Sequence, residues 1–302
     1  MIIDRRTLKQ GAKNALRNAR PNALLFTFVY LLLTGGISFL VGLVADPLTH
    51  LISLLQQGLD LPRALLVAVS GAGTLGLFLS ILTLIFRVVL KFSYCQWCLG
   101  SSRGGIGEFA DLICGFSMTG RVLLLRLAIL MFSALWYFVI FIPALIGVVA
   151  AALIPGLGIL LALVVLGTAM TLYLSRVLRY RMASYCLMDE PEKGAFHALY
   201  TSRKMMQGNC GQYFMLMLSF LGWRLLEALL IWVAETIVIL VSGGLALLLN
   251  GDPVGLDTIS RSLPMTIALT VASWPVSVWL TPYITMTECQ FYDQMRNRAS
   301  EV

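Results

Sequence analysis

The fifth apolar segment of this 302-residue chain carries three ionisable residues at helical spacing. Arg224 and Glu227 lie three residues apart, and Glu235 follows eight residues later on about the same helical face. If a membrane span begins near Tyr213, Arg224 lies ~16 Å inside it, close to the bilayer centre. Ionisable groups at that depth are expensive, so they usually mark a path for substrate, ions or protons. An ion pair that neutralises itself and joins two helices is the alternative.

Two further charges extend this candidate site. Arg126 and Glu288 lie nearer the predicted cytoplasmic ends of other spans. These residue types can bind a charged group or carry a proton, but they do not form a recognisable nucleophile and base. The candidate intramembrane polar site therefore consists of Arg224, Glu227, Glu235, Arg126 and Glu288.

A second group of candidate residues lies where a cytoplasmic amphipathic helix must end and the chain must enter the bilayer. Arg203 and Lys204 can reach headgroup phosphates, and Gly208 with Asn209 can cap the helix. Further along the chain, aromatic residues and a proline are either interfacial anchors and packing residues or the sign of a broken helix beside a cavity. The complete set is Ser202, Arg203, Lys204, Met206, Gly208, Asn209, Trp223, Pro282, Tyr283 and Tyr292.

Six cysteines raise the question of a metal site. Cys95 and Cys98 have the spacing of metal ligands, and Cys114, Cys186 or Cys210 could complete a tetrahedral zinc site. However, the sequence holds neither a second Cys-x-x-Cys nor a paired histidine motif. All six thiols fall on the predicted cytoplasmic side, where they stay reduced. We therefore expect small buried hydrophobes, with no metal, no disulfide and no cofactor.

The motifs of soluble enzymes are missing from the sequence. His50 and His197 fall on opposite sides of the predicted membrane, so they cannot share one site. There is no Gly-x-Ser-x-Gly, no His-Glu-x-x-His and no phosphate-binding loop. We expect a protein that is not an enzyme.

Composition predicts an all-α polytopic membrane protein. Hydrophobic residues make up 59% of the chain, charged residues only 12%, and the mean hydropathy is +0.86. Between residues 127 and 175 no Asp, Glu, Lys, Arg or His occurs, and this stretch is long enough to cross a ~30 Å hydrocarbon core twice. The predicted spans are six, at roughly 23–45, 64–86, 122–144, 157–174, 213–235 and 265–286.

The placement of Lys and Arg predicts the orientation. Basic residues concentrate before the first span, between spans two and three, between spans four and five, and after the sixth. The other side carries only Arg63 and Arg261, so both termini should be cytoplasmic. The net charge of +7 then indicates attraction to anionic lipid headgroups and excludes nucleic acid as a partner. The N-terminal arm itself predicts an amphipathic helix on the inner membrane surface.

An internal repeat organises the predicted spans. Residues 107–112 (GEFADL) recur as 194–199 (GAFHAL), and 92–95 (FSYC) recur as 183–186 (ASYC). A single membrane domain over 1–302 with three repeat units, approximately 1–98, 99–189 and 190–302, follows from this period. Each unit would be a cytoplasmic amphipathic helix followed by a transmembrane hairpin, and the three hairpins would be parallel repeats. Chance similarity between apolar segments is the competing explanation.

Five ordered motifs carry a family resemblance. They are 189–191 (DEP), 201–209 (TSRKMMQGN), 218–223 (LSFLGW), 279–283 (WLTPY) and 289–292 (CQFY). Through them the chain resembles a family of uncharacterised bacterial multi-pass membrane proteins, domain of unknown function 975. The resemblance implies a multi-pass protein of the bacterial cytoplasmic (inner) membrane and implies no reaction. Arg224 and Glu227 match no motif of that family.

Two functional hypotheses follow. In the first, the protein is a transport or export component for a small amphiphilic substrate, such as a peptide, a drug or a lipid-like molecule, and Arg224 with Glu227 lines a polar cavity. In the second, it is a membrane scaffold or lipid-interacting protein whose basic helices bind anionic headgroups through residues such as Arg203 and Lys204. Membrane lipids are partners in both cases.

Overall fold

The computed structural model describes residues 4–56, 63–152, 157–244, 255, 259–260 and 262–300. Within these, the side chains of 42–56, 63–73, 151–152, 263 and 299–300 lie outside the description. Residues 153–156, between the third and fourth predicted spans, and the predicted external residue Arg261 lie outside the described residues altogether. In the described part of the chain all regular secondary structure is helical, in agreement with the predicted class.

Eleven α-helices are described. They are α1 (Arg5–Asn18), α2 (Ala23–Gln56), α3 (Arg63–Ser102), α4 (Asp111–Cys114), α5 (Thr119–Ala152), α6 (Gly158–Val177), α7 (Ala183–Asp189), α8 (Gly194–Met205), α9 (Cys210–Leu218), α10 (Leu221–Val241) and α11 (Leu263–Ser300). Short 3₁₀ turns at Gly115–Met118, Leu178–Tyr180 and Pro191–Lys193 connect neighbouring helices.

Among the described residues, five segments are long and apolar enough to cross a membrane. They are Ala23–Val41, Thr74–Ser102, Asp111–Ala150, Gly158–Asp189 and Pro264–Arg298. Helix α10 has 21 residues, enough for a crossing, but it contains Arg224, Glu227 and Glu235. These charges keep it outside the five apolar segments, so the sixth crossing stays a prediction.

The long helices associate in pairs. Helix α2 packs against α3, α5 against α6, and α10 against α11, and these are the pairs that the sequence predicts as hairpins. Helix α11 also contacts α1, α2 and α3, so it joins the first and last pairs. The threefold repeat itself stays a prediction.

Close packing is concentrated at one end of the helix pairs. We call this region the basal core and define it by buried residues of α1, α2, α3, α7 and α11, namely Leu8, Phe26, Phe92, Tyr94, Tyr185, Leu187, Phe291 and Tyr292. Away from it, leucines and phenylalanines of α3, α5 and α6 are exposed. Because lipid tails are as apolar as these side chains, this exposure is what a bilayer permits.

The N-terminal arm forms the predicted amphipathic helix but uses it differently. The side chain of Asp4 accepts a hydrogen bond from the backbone N–H of Arg6 at 2.9 Å and caps α1. Leu8 and Ala12 are buried in the basal core, because α1 packs on α11. The arm is therefore bound to the protein through this face, and its predicted position on the inner membrane surface stays a prediction.

The second predicted amphipathic helix is much shorter than the third. Helix α4 has four residues and continues into a 3₁₀ turn, whereas α8 has twelve. The backbone N–H of Gly115 donates to Ser93 Oγ at 3.0 Å, and a Cβ on this glycine would collide with that side chain. The backbone at Gly115 is thus held directly against α3 by this hydrogen bond and by the absence of a side chain. Leu112 and Leu199, which the repeat places at equivalent positions, are both buried.

Candidate intramembrane polar site

The predicted fifth span is interrupted just before its charged residues. Helix α9 ends at Leu218 and α10 begins at Leu221, so the prediction of one helix from Tyr213 was wrong at this point. The hydroxyl of Ser219 bonds to the carbonyl oxygen of Leu216, a local bond that competes with helix propagation. Phe220 is buried and packs edge-on against Tyr283, with ring centroids 5.2 Å apart. Arg224 is consequently in the first turn of a new helix.

The N-terminal arm stabilises this break. Lys9 Nζ donates to the backbone carbonyl of Ser219 at 3.4 Å and lies 4.5 Å from the ring centroid of Phe220. A cation at a helix C-terminus satisfies a carbonyl that has no partner within the helix. Burial lowers the pKa of the Lys9 ammonium below its ordinary value, and the charges of Arg5 and Lys13 lower this pKa further.

Arg224 and Glu227 form an ion pair that also involves α11. Arg224 NH1 donates to Glu227 Oε2 at 2.8 Å, and Ser277 Oγ of α11 donates to Glu227 Oε1. The side chain of Glu227 is 13% exposed and that of Arg224 is 50% exposed. The carboxylate therefore points to the α10–α11 contact, while the guanidinium keeps an open side.

The other three predicted charges do not join this pair. Glu235 lies two turns further along α10, and among the described residues no ion pair is recorded for it or for Arg126 of α5. Glu288 belongs to a different cluster, in the basal core. The sequence therefore grouped residues that the structure separates: Arg224 and Glu227 form one pair, Glu288 lies in the basal core, and Glu235 and Arg126 join neither group.

Glu288 is the centre of a buried hydrogen-bond network. Arg181 NH2 donates to its Oε1 at 3.0 Å, and Tyr213 donates to the same oxygen at 2.6 Å. Tyr185 donates to Oε2 at 3.1 Å, and Arg181 Nε also donates to the Tyr213 hydroxyl at 2.9 Å. Both carboxylate oxygens are thus satisfied by groups from α7, α9 and the preceding turn, which makes the network a structural joint.

The predicted membrane-entry segment lies at the end of α8. Ser202 is fully buried, and its Oγ donates to the carbonyl of Arg179 at 2.7 Å. Gly208 adopts a positive φ of 81°, and Asn209 Nδ2 donates to the carbonyl of Met205 at 3.2 Å. Met206 is buried beneath this turn. The two basic residues of the segment, Arg203 and Lys204, are exposed.

The predicted aromatic residues divide between packing roles. Trp223 packs on Trp279 with ring centroids 5.0 Å apart, and Trp279 contacts Tyr283 at 5.2 Å. Tyr292 lies in the basal core, stacked on Tyr185. Pro282 is buried within α11, which continues on both sides of it.

Sequence reasoning missed an ionic network beside the basal core. Arg103, which follows α3, donates to both carboxylate oxygens of Asp189 at 2.7 and 3.0 Å and to Asp293 Oδ1 at 2.6 Å. Arg296 and the Tyr292 hydroxyl also donate to Asp189 Oδ2, at 2.6 and 2.9 Å. The hydrogen bonds that Arg103 donates to Asp189 raise the pKa of Arg103 above its ordinary value. The only signal in the sequence was that Asp189 and Tyr292 belong to two of the family motifs.

The six cysteines are free thiols. Cys98, Cys186 and Cys289 are buried, whereas Cys114 is exposed. Among the residues that the structure describes, no group of three His, Cys, Asp or Glu side chains is placed to hold a metal ion.

A comparison with known protein families identifies the family of this chain. The family model described as "Protein of unknown function (DUF975)" matches residues 1–299. The chain belongs to this family. The match confirms the resemblance carried by the five motifs, and it spans both the Arg224–Glu227 pair and the basal core. No curated protein and no solved structure matches the chain. Membership in the DUF975 family assigns no reaction.

Proposed function

We propose that the protein is a transport or export component of the bacterial cytoplasmic membrane for a small amphiphilic substrate, which is a peptide, a drug or a lipid-like molecule. The observation that carries the proposal is the half-exposed guanidinium of Arg224 on a largely apolar helix. In this proposal the chain crosses the membrane six times, has both termini in the cytoplasm and is not an enzyme.

The surroundings of Arg224 support this role. Leu225, Leu229 and Trp232 of α10 are exposed, so an apolar chain can lie beside a polar group on one surface. Glu227, which also accepts a hydrogen bond from Ser277, holds the Arg224 guanidinium in place. Substrate binding would therefore cost less side-chain conformational entropy. A charged group inside a bilayer that is neither fully paired nor fully buried is typical of substrate paths.

A transport assay tests the proposal. Full-length protein is reconstituted into liposomes, and movement of fluorescent NBD-phosphatidylglycerol and of rhodamine 6G across the bilayer is followed by quenching. We expect Glu227→Gln to reduce movement to roughly the rate of empty liposomes, because Arg224 then loses its ionic partner. Glu192→Gln, which removes an exposed surface carboxylate, is the matched control and should keep the wild-type rate. Wild-type rates in Glu227→Gln would reject the proposed site.

A scaffold function is favoured by a different observation. Arg203 and Lys204 are exposed at the end of α8, where they can bind anionic headgroups. If this is the main function, the double change Arg203→Gln and Lys204→Gln should lower the amount of phosphatidylglycerol that copurifies with the protein. Glu227→Gln should then have the smaller effect.

A further inference from the structure

We infer that a cleft at the end of α3 binds a small primary ammonium group that carries an oxygen acceptor nearby, the chemistry of phosphoethanolamine. The cleft has a volume of about 180 Å³ and is lined by Gln96, Trp97, Ser101, Gly107, Asp111 and Cys114 among others. It involves neither Arg224 nor Glu227, and the inference does not depend on the proposed transport function.

Two buried donors in the cleft wall lack partners. Trp97 and Ser101 are 4% and 8% exposed, and neither the Trp97 Nε1–H nor the Ser101 hydroxyl has a hydrogen-bond partner among the described residues. A buried polar group without a partner is destabilising, and native proteins rarely keep one without a reason. Two such groups in the wall of one cleft indicate an acceptor atom that is supplied from outside the chain.

The cleft also contains a carboxylate without a cationic partner. Asp111 Oδ2 accepts the backbone N–H of Glu108 at 2.8 Å, and its Oδ1 receives only a long contact of 3.9 Å from the Cys114 thiol. No ion pair links Asp111 to a Lys or Arg in the described part of the chain. A ligand that brings a positive charge would neutralise this carboxylate and use its free acceptor sites.

Gly107 brings the donor and the carboxylate together. A Cβ at this position would lie 2.5 Å from Trp97 Nε1 and 2.8 Å from Asp111 Oδ2, so only glycine lets the loop pass between them. The loop is held there because the Gly107 N–H donates to the carbonyl of Arg20 at 3.0 Å. The cleft is therefore shaped by this close approach.

These groups together select the ligand chemistry. The carboxylate needs a cationic donor, and the indole N–H and the hydroxyl need an oxygen acceptor close to it. A neutral polyol would satisfy the donors but leave the charge of Asp111 uncompensated. An ethanolamine phosphate satisfies all three, and the cleft lies at the end of the apolar segment Thr74–Ser102, where a lipid headgroup is expected if that segment crosses a bilayer. The group can belong to a phosphatidylethanolamine lipid or to a free phosphoethanolamine.

Binding to full-length protein tests the inference in two arms. Free O-phosphoethanolamine is titrated into detergent-purified protein by calorimetry, and phosphatidylethanolamine retention from mixed nanodiscs is measured by native mass spectrometry. We expect saturable binding in at least one arm, and which arm responds identifies the source. Phosphocholine and phosphatidylcholine should bind at least about tenfold more weakly, because a trimethylated nitrogen donates no hydrogen bond.

Two variants assign the binding to the cleft. Asp111→Asn should weaken it by about tenfold or more, whereas Glu108→Gln, which removes an exposed carboxylate three residues away, should leave it unchanged. Trp97→Phe still places an aromatic ring against Phe26 but removes the N–H donor, and it should weaken binding severalfold. Absence of saturable binding in both arms, which means that water alone satisfies the donors, overturns the inference. Equal losses in Asp111→Asn and Glu108→Gln also overturn it.

Discussion

The two halves of α3 are both largely apolar, yet their surroundings are opposite. Between residues 74 and 88, side chains such as Leu77, Phe78 and Leu84 are exposed. From Val89 onward, Leu90, Phe92 and their neighbours are buried in the basal core. In a bilayer an apolar side chain gains little by leaving lipid for protein, so hydrophobicity alone does not determine where packing occurs. Along α3, close packing instead coincides with the ring contacts of Tyr94 and Trp97 and the hydrogen bonds of Ser93 and Tyr94, all in its second half.

Matched alanine substitutions in the two halves of α3 test this comparison most directly, and they have the largest expected effect on stability. Phe92 is 1% exposed and Phe78 is 64% exposed. Phe92→Ala should destabilise the protein by about 3–5 kcal/mol because it leaves a cavity, whereas Phe78→Ala should cost less than about 1 kcal/mol. Unfolding in mixed micelles with increasing SDS measures both. Equal losses would mean that the exposed half is packed against protein after all.

Replacing Glu288, the centre of the buried hydrogen-bond network, tests how much the polar contacts stabilise the basal core. Glu288→Ala leaves the hydroxyls of Tyr185 and Tyr213 without their acceptor, so we expect a loss of about 3 kcal/mol in the same unfolding measurement. Glu288→Gln, which keeps one acceptor oxygen, should lose less. If the two variants lose the same amount of stability, the charge of Glu288 and not its acceptor atoms stabilises the network.

The smallest expected effect concerns the contact between the arm and the helix break. Lys9→Met keeps a long apolar stem over Phe220 but removes the donor to the Ser219 carbonyl. Because this lysine is still partly exposed to solvent, we expect a loss below about 1 kcal/mol. Hydrogen exchange at Ser219 to Leu221 should nevertheless become faster, whereas an exposed control such as Lys204→Met should leave it unchanged.

The features that composition and periodicity control could be predicted from the sequence. The helical class, the association of long helices in pairs and the amphipathic arm all follow from such patterns. Helix lengths could not be predicted as well, because α3 and α11 continue beyond the predicted spans into the basal core. Their predicted ends, at residues 86 and 286, fall short of Ser102 and Ser300.

The features that could not be predicted from the sequence depend on contacts between segments far apart in the chain. The break at Ser219 depends on Lys9 and Tyr283, both far away in sequence. The network around Asp189 joins Arg103, Asp293 and Arg296, whose spacing shows no pattern. Arg224 and Glu227 could be predicted as a pair because they are neighbours on one helix, whereas Ser277 could not.

The docking of α1 on α11 has a consequence for biosynthesis. Helix α1 is synthesised before α11, so the α11 surface against which Leu8 and Ala12 are buried does not yet exist when α1 is made. The carboxamide of Gln290 lies close against Gly11, so this contact joins two positions 279 residues apart. Assembly of the basal core must therefore wait for α11, and a nascent chain that stalls before α11 exposes the apolar face of α1 to quality-control proteases.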